Sequence, residues 1–306
     1  MRRRGIALFL RSLDNDYQQR LRDDALAAAQ RHGFDLTVLA ARNEPNLQAE
    51  QIEQSLVESS HGPREAAPMA VLVSPVRDEE LGPQAQSAAR DGIGWVLLNR
   101  EGTYLDGLRA KFPEVPVFSV TPDQFEIGRN QAEQAKLLLR AGGSILYLTG
   151  PLRTSSAKVR HDGMTQGLGP EHSLTTLEAD WTTEGARLAL DAWLAEQPPS
   201  AAPHLVCAQN DEMALGARQA LRDVASRSYR ADLSAVPITG CDGSPGFGQK
   251  LVKEKRLSAT ISSPSAAGPA IEWLAKWRDG LGVPPAHVTL PVASFPDLAK
   301  LKRLAA

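Results

Sequence analysis

The stretch Ala208-Gln209-Asn210-Asp211-Glu212-Met213-Ala214-Leu215-Gly216 joins the short apolar run Leu205-Val206-Cys207-Ala208 to a segment in which Met213, Ala214, Ala217 and Leu221 recur at helical spacing. A strand, a compact polar turn and a helix in that order put the turn at the carboxyl end of a strand, where an open parallel sheet forms its ligand crevice. Asn210 stands there, and its amide can donate and accept hydrogen bonds. Asp211 is placed to cap the helix, so the ligand role falls to Asn210. Ser12-Leu13-Asp14-Asn15-Asp16-Tyr17-Gln18 follows another apolar run, Gly5 to Leu10. There Asn15 can bond hydroxyl groups, while Tyr17 either stacks on a ring or covers the helix start as a hydrophobic staple. Asn99-Arg100 follows Trp95-Val96-Leu97-Leu98. The guanidinium of Arg100 is a fixed fork of donors suited to vicinal oxygens, each charge-assisted bond contributing about 1.5–3 kcal/mol. Arg11, at the end of the first apolar run, either adds positive charge to this set or pairs with Asp14.

Positioning such residues requires a regular frame, and the hydrophobic pattern supplies one. Strand-like runs at Ile6 to Leu10, Leu36 to Ala40, Ala70 to Ser74 and Trp95 to Leu98 alternate with helical patterns at Tyr17 to Arg31, Leu47 to Glu58 and Glu79 to Arg90. A second series follows Val117 to Val120, with strands at Ile145 to Thr149, Leu174 to Glu178 and Leu205 onward, and helices at Asp123 to Arg140, Ser156 to Leu168 and Thr183 to Ala195. Alternation of this kind makes βαβ units and a parallel sheet covered by helices on both faces. The fold class is therefore α/β, with two doubly wound sheets. In the tail, Pro237 to Gly240 and Leu257 to Ile261 read as strands and Ala266 to Arg278 as a helix, while residues 196–203 form a Pro-rich connecting loop.

Composition bounds the function. A chain of 306 residues, 42% hydrophobic and 23% charged, is ordinary for a two-domain globular protein. Its formal charge of -2 provides no basic field for nucleic acid, and Arg2-Arg3-Arg4 reads as a solvated terminus. Cys207 and Cys241 lie in apolar runs as small buried hydrophobes, and no metal-ligand spacing is found. Phosphate-binding and nucleophile-elbow motifs are missing too, so no catalytic residue, cofactor or enzymatic activity is expected. The run Gly5 to Leu10 is too short for a signal peptide and is followed at once by Arg11, Asp14 and Asp16; it reads as the first strand.

These strand-end segments resemble the ribose-binding proteins and their relatives, the type I periplasmic sugar-binding proteins that share a core with LacI-type repressors. Thr154-Ser155-Ser156-Ala157-Lys158-Val159-Arg160 resembles the family's Ser-Ala-x-x-Arg loop, Ala179-Asp180-Trp181 its Ala-Asp-Phe, and Gly240-Cys241-Asp242-Gly243 its Gly-Phe-Asp-Gly. The resemblance implies ligand roles for Arg160, whose bland alternative is a surface salt bridge, and for Trp181 as a second stacking platform, with core packing as its alternative. The polar residues Thr182-Thr183-Glu184 after Trp181 argue against core packing. Asp242 can accept from two hydroxyls or from Arg100. Ser263 and Ser74 stand where relatives often carry Gln and Asn, and Asn99 where sugar binders usually carry Asp.

The same resemblance implies two lobes, residues 1–121 with 264–291 and residues 122–263 with 292–306, joined by a three-stranded hinge with the ligand cleft between them. It further implies a monomeric periplasmic solute-binding protein that closes on a sugar, polyol or sugar acid and delivers it to an ABC permease. A cytoplasmic sugar sensor, or a repressor effector module without its DNA-binding domain, is the alternative.

Overall fold

The run Ile6-Ala7-Leu8-Phe9-Leu10 is apolar at every position because both of its faces are covered. Ile6, Leu8 and Leu10 pack with Leu21, Ala25, Ala28 and Ile271, while Ala7 and Phe9 pack with Ile52, Ala85 and Ala88. Parallel strands buried in this way lose the polar alternation of half-exposed ones. The structure is a computed structural model that describes residues 4–61, 67–77, 79–198, 202–228 and 231–305. Arg2 and Arg3 of the basic cluster and residues 199–201 of the Pro-rich loop lie outside the described residues.

In chain order the elements are β1 (Arg4–Leu10), α1 (Asp16–His32), β2 (Phe34–Ala40), α2 (Pro45–His61), β3 (Ala70–Val73), α3 (Gly82–Arg90), β4 (Gly94–Leu98), α4 (Leu105–Lys111), β5 (Val117–Pro122), α5 (Gln124–Leu138), β6 (Gly143–Thr149) and α6 (Ser155–Gly167). They continue as β7 (His172–Glu178), α7 (Thr183–Glu196), β8 (Leu205–Ala208), α8 (Asp211–Ser228), α9 (Ala231–Ala235), β9 (Ile238–Thr239), α10 (Gly248–Lys253), β10 (Thr260–Ser262), α11 (Ala267–Arg278), β11 (His287–Leu290), β12 (Ala293–Phe295) and α12 (Leu298–Leu304). The chain divides into two compact units, Met1–Pro122 with Ser265–Leu290 and Asp123–Pro264 with Pro291–Ala306, and so passes from one to the other three times.

The first unit holds a six-stranded sheet in the order β11-β5-β4-β3-β1-β2, and every pairing is parallel. The second holds a four-stranded parallel sheet, β7-β6-β8-β9, and an antiparallel pair, β10 with β12. Its sheet is also doubly wound. Leu146, Leu148, Val206 and Ala208 pack with Ala186, Leu190, Met213 and Ala217 on one face, and Ile145, Tyr147, Leu205 and Cys207 pack with Ala132, Ala135 and Met164 on the other. Helices α5 and α6 approach until their backbones nearly touch, because a Cβ on Gly128 would lie 2.0 Å from the Arg160 carbonyl oxygen.

The tail departs from the sequence reading. Leu257 to Ile261 is not one strand, for β10 begins at Thr260. After α10 the chain turns back, with Arg256 N and Leu257 N both donating to Leu251 O, and Leu257 is buried as the apolar plug of that turn. Strands β11 and β12 and helices α4, α9, α10 and α12 are short, at seven residues or fewer, and the apolar pattern had not singled them out.

Both cysteines are free and buried. Burial pushes the Cys207 thiol up to about 12, with a hydrogen bond to Thr239 opposing it, and burial also raises Cys241. Since the thiolate is the reactive form, the folded protein is expected to leave both thiols untouched by an aromatic disulfide reagent at pH 8, and the denatured chain to titrate two. Rapid release of one thiol equivalent from folded protein would contradict this burial.

Candidate functional site

In the first unit β1, β3 and β4 are adjacent and parallel, so Leu10, Val73 and Leu98 end along one sheet edge. The candidates Arg11, Asn15, Tyr17, Ser74, Asn99 and Arg100 all follow those ends. Asn15 is extended at φ -131° and accepts from Gln18 N at 2.9 Å, so it is the N-cap of α1. Tyr17 is the second residue of that helix, inside the position a staple requires. Its hydroxyl instead donates to Asn99 Oδ1 at 2.5 Å, and the Arg20 guanidinium stands 5.2 Å from its ring.

Asn99 has φ +63°, a left-handed conformation in which Asn and Asp are enriched among side-chain-bearing residues. It is 7% exposed, and its Nδ2 is buried without a hydrogen-bond partner among the described residues. Arg100, equally buried, donates to the Asn99 carbonyl at 3.0 Å. Tyr17, Asn99 and Arg100 thus form one connected group. Ser74 is buried just after β3, the strand paired with β4, and is fixed by its N–H to Phe9 O at 2.8 Å and by its carbonyl, which accepts from Gln48 Nε2 at 3.1 Å. Arg11 reaches toward the loop after β2, donating to Asn43 Oδ1 at 2.9 Å, and Asn43 in turn donates to Asp14 at 3.1 Å.

In the second unit Arg160 is buried, which corrects the surface location that the salt-bridge alternative gave it. Its Nε donates to Gln124 Oε1 at 2.6 Å and a terminal nitrogen to Gln209 O at 2.5 Å, with the guanidinium 5.7 Å from the Trp181 ring. Lys158, two residues earlier on α6, is exposed. Trp181 is 7% exposed and packs in the core cluster with Leu148, Ala157 and Met213, so its polar flank did not exclude core packing. Those flanking residues serve the helix start: Thr182 caps α7 through Gly185 N, and Asp180 accepts from Thr182. A Cβ on Gly150 would fall 2.0 Å from the indole, which is why the ring can lie against that strand end. The indole Nε1 is buried with no hydrogen-bond partner among the described residues.

The capping role expected at Asp211 falls to Asn210. Asn210 Oδ1 accepts from Met213 N at 2.8 Å, which makes Asn210 the cap, while its Nδ2 donates to Trp181 O at 3.0 Å. The cap is the residue before the first helical one, and α8 begins at Asp211. Asp211, 1% exposed, accepts from Gly243 N at 2.8 Å and from Thr260 Oγ1 at 2.6 Å, bracing the neighbouring strand ends. Asp242, held at φ +98°, bridges to Ser262, and its carbonyl accepts from Ser263 N at 3.1 Å. Both Asp242 and Ser263 are buried.

Two residues that orient Arg160 had no assigned role in the sequence, Gln124 and Gln209. Gln209 is fully buried, accepts from Gly150 N at 3.1 Å and donates to Ala157 O at 2.9 Å. It lies in the polar turn after β8, so its place at a strand end was the readable signal. Gln124, at the first position of α5, is brought to Arg160 only by tertiary packing. Behind them burial raises the Tyr147 phenol, which stays a neutral donor to Gln131 Oε1 at 2.7 Å.

One arrangement elsewhere has the composition of a hydrolytic triad: Ser119 Oγ lies 2.9 Å from His287 Nδ1, and His287 Nε2 lies 3.4 Å from Asp106. Ser119 is fully buried within β5, so no substrate carbonyl can approach its hydroxyl.

Two doubly wound α/β units built from one chain that crosses between them three times, with polar residues on strand carboxyl ends in each, define the type I periplasmic binding protein architecture. The chain belongs to the family described as periplasmic binding protein domain, which matches residues 6–276. It is 27% identical over 259 residues to the ribose import binding protein RbsB of Salmonella typhimurium, covering 84% of this chain and 78% of that protein. It is 29% identical over 218 residues to the xylitol-binding protein of Mycolicibacterium smegmatis, covering 70% and 55%. In fold it matches an ABC transporter periplasmic solute-binding protein of Actinobacillus succinogenes 130z with bound D-allose, at a TM-score of 0.81, 21% identity and coverage of 98% and 100%. It also matches a solute-binding protein of Bacillus halodurans C-125 with bound myo-inositol, at a TM-score of 0.80, 19% identity and coverage of 99% and 97%. The two relatives are thus named for binding ribose and xylitol, and the two solved structures are solute-binding proteins of ABC transporters.

Proposed function

We propose that this chain is a solute-binding protein that captures a sugar or polyol without turning it over and presents it to an ABC permease in the membrane, acting in the periplasm as a monomer. The observation that carries this reading is the pair of polar groups, one per unit: Tyr17, Asn99 and Arg100 in the first, and Arg160, Trp181 and Asn210 in the second. Each combines a guanidinium, an amide and an aromatic ring. That set suits a ligand with hydroxyls around its edge and C–H groups on its faces. The names of the relatives, which speak of ribose and xylitol, support the same ligand class.

In this reading both groups serve ligand capture, which proceeds by hinge closure. Closure is driven by the ligand's better contacts in the closed state, so part of the contact energy is absorbed by the population shift. Asn15, Ser74, Asp242 and Ser263 complete the proposed lining, with Arg11 at its rim.

The test is isothermal titration with the tightest ligand found among pentoses, hexoses, polyols and inositols. Arg160→Ala is expected to weaken binding about thirtyfold, the loss of one charge-assisted bond of about 2 kcal/mol, and Trp181→Ala to weaken it comparably. Unchanged affinity in both variants, with the unfolding transition intact, would remove these residues from the site.

A further inference from the structure

We propose that Asn99 makes this site selective for a ligand oxygen that carries no hydrogen, as on the carboxylate of a sugar acid or the carbonyl of a keto sugar, in preference to a hydroxyl; the inference rests on the solute-binding reading above. The Tyr17 hydroxyl donates to Asn99 Oδ1 at 2.5 Å, which fixes the amide and occupies its accepting oxygen. What remains is Nδ2, a donor only. It is buried on a residue that is 7% exposed, and among the described residues nothing accepts from it.

Backbone geometry does not explain the amide. Asn99 sits at φ +63° with its N–H given to Val120 O at 2.9 Å, and aspartate tolerates that conformation as readily. Aspartate would also accept from Tyr17. The two side chains differ in charge and in the second terminal atom, which in aspartate accepts from a ligand hydroxyl and in asparagine must donate to a ligand oxygen. A hydroxyl can serve as that acceptor, but its own hydrogen then needs a second acceptor close by, whereas a carboxylate or carbonyl oxygen does not.

Two further observations have the same sign. The Arg100 guanidinium is tied to the Asn99 carbonyl at 3.0 Å, so the donor fork and the amide donor stand side by side on one strand end. In the second unit Trp181 Nε1 is likewise a buried donor with no acceptor among the described residues, on a side chain 7% exposed. Each unit therefore holds one buried donor with no acceptor among the described residues.

The experiment is a calorimetric titration of the full chain and of Asn99→Asp with matched sets on five- and six-carbon skeletons: polyol, aldose, ketose, aldonate and uronate. The native protein is expected to bind a member with a hydrogen-free oxygen at least tenfold tighter than its parent polyol. An aldonate or uronate as the tightest member identifies a carboxylate, and a ketose identifies a carbonyl. Asn99→Asp is expected to keep the same unfolding midpoint without ligand and to reverse the order, losing about a hundredfold toward a carboxylate through like-charge repulsion at low dielectric. A native preference for the polyol or aldose that Asn99→Asp leaves unmoved overturns this inference while leaving the solute-binding reading standing. Failure of every member to bind either protein overturns both.

Discussion

Replacing Asp211 with alanine is expected to destabilise the second unit by about 3–5 kcal/mol. Its carboxylate, 1% exposed, accepts from Gly243 N at 2.8 Å and Thr260 Oγ1 at 2.6 Å, and each hydrogen bond to a charged group contributes about 1.5–3 kcal/mol. Alanine leaves both donors buried without a partner. For a unit of this size the loss lowers the unfolding midpoint by about 10 °C. Asp211→Asn keeps one accepting oxygen but turns an N–H toward the other donor, so it is expected to recover less than half of the loss. Because Gly243 follows Asp242, itself at φ +98°, the same variant is expected to weaken ligand binding by loosening that strand end. Thermal unfolding followed by circular dichroism checks the first effect; a midpoint within 2 °C of the native protein contradicts the bracing role.

The second large effect is expected from Gly128→Val, a substitution far in sequence from Arg160. A Cβ there lies 2.0 Å from Arg160 O and 2.7 Å from Met164 N, both backbone atoms that cannot rotate away. Helices α5 and α6 must separate, and overpacking costs typically about 1–3 kcal/mol and more where backbone atoms must move. The separation pulls Gln124, on α5, away from the Arg160 guanidinium it orients at 2.6 Å. Ligand affinity is therefore expected to fall together with stability. Chemical denaturation and titration on the same preparation test the coupling, and a stable protein with native affinity would show that the helices can part without disturbing Arg160.

Much of this arrangement was legible in the sequence for a physical reason. Strands buried on both faces, such as Trp95-Val96-Leu97-Leu98, leave continuous apolar runs that polar turns interrupt, so alternation gave the α/β class and the strand ends carrying Asn99, Arg100 and Asn210. Side-chain partnerships were less legible. Asn210 and Asp211 are neighbours with similar capping ability, and which one caps depends on where the helix begins by a single residue. Trp181 follows a polar pattern because Asp180 and Thr182 build the start of α7, while the ring itself turns into the core. Gly128 and Gln124 act through contacts between helices, and no local pattern reports those. The short β11 and β12 carry too few apolar residues to stand out before the strands they pair with are known.

The central claim, reversible binding of a sugar-like ligand, is tested most directly by a thermal-shift screen of the purified protein against pentoses, hexoses, polyols, inositols and sugar acids. A ligand that binds only the native state stabilises it by about 2.7 kcal/mol at a hundredfold excess over its dissociation constant, an upward shift of several degrees. The account predicts that shift for a narrow set of related compounds, abolished in Arg160→Ala at the same concentration, with the compound recovered chemically unchanged. A midpoint unmoved by every compound, or recovery of a converted product, would contradict it.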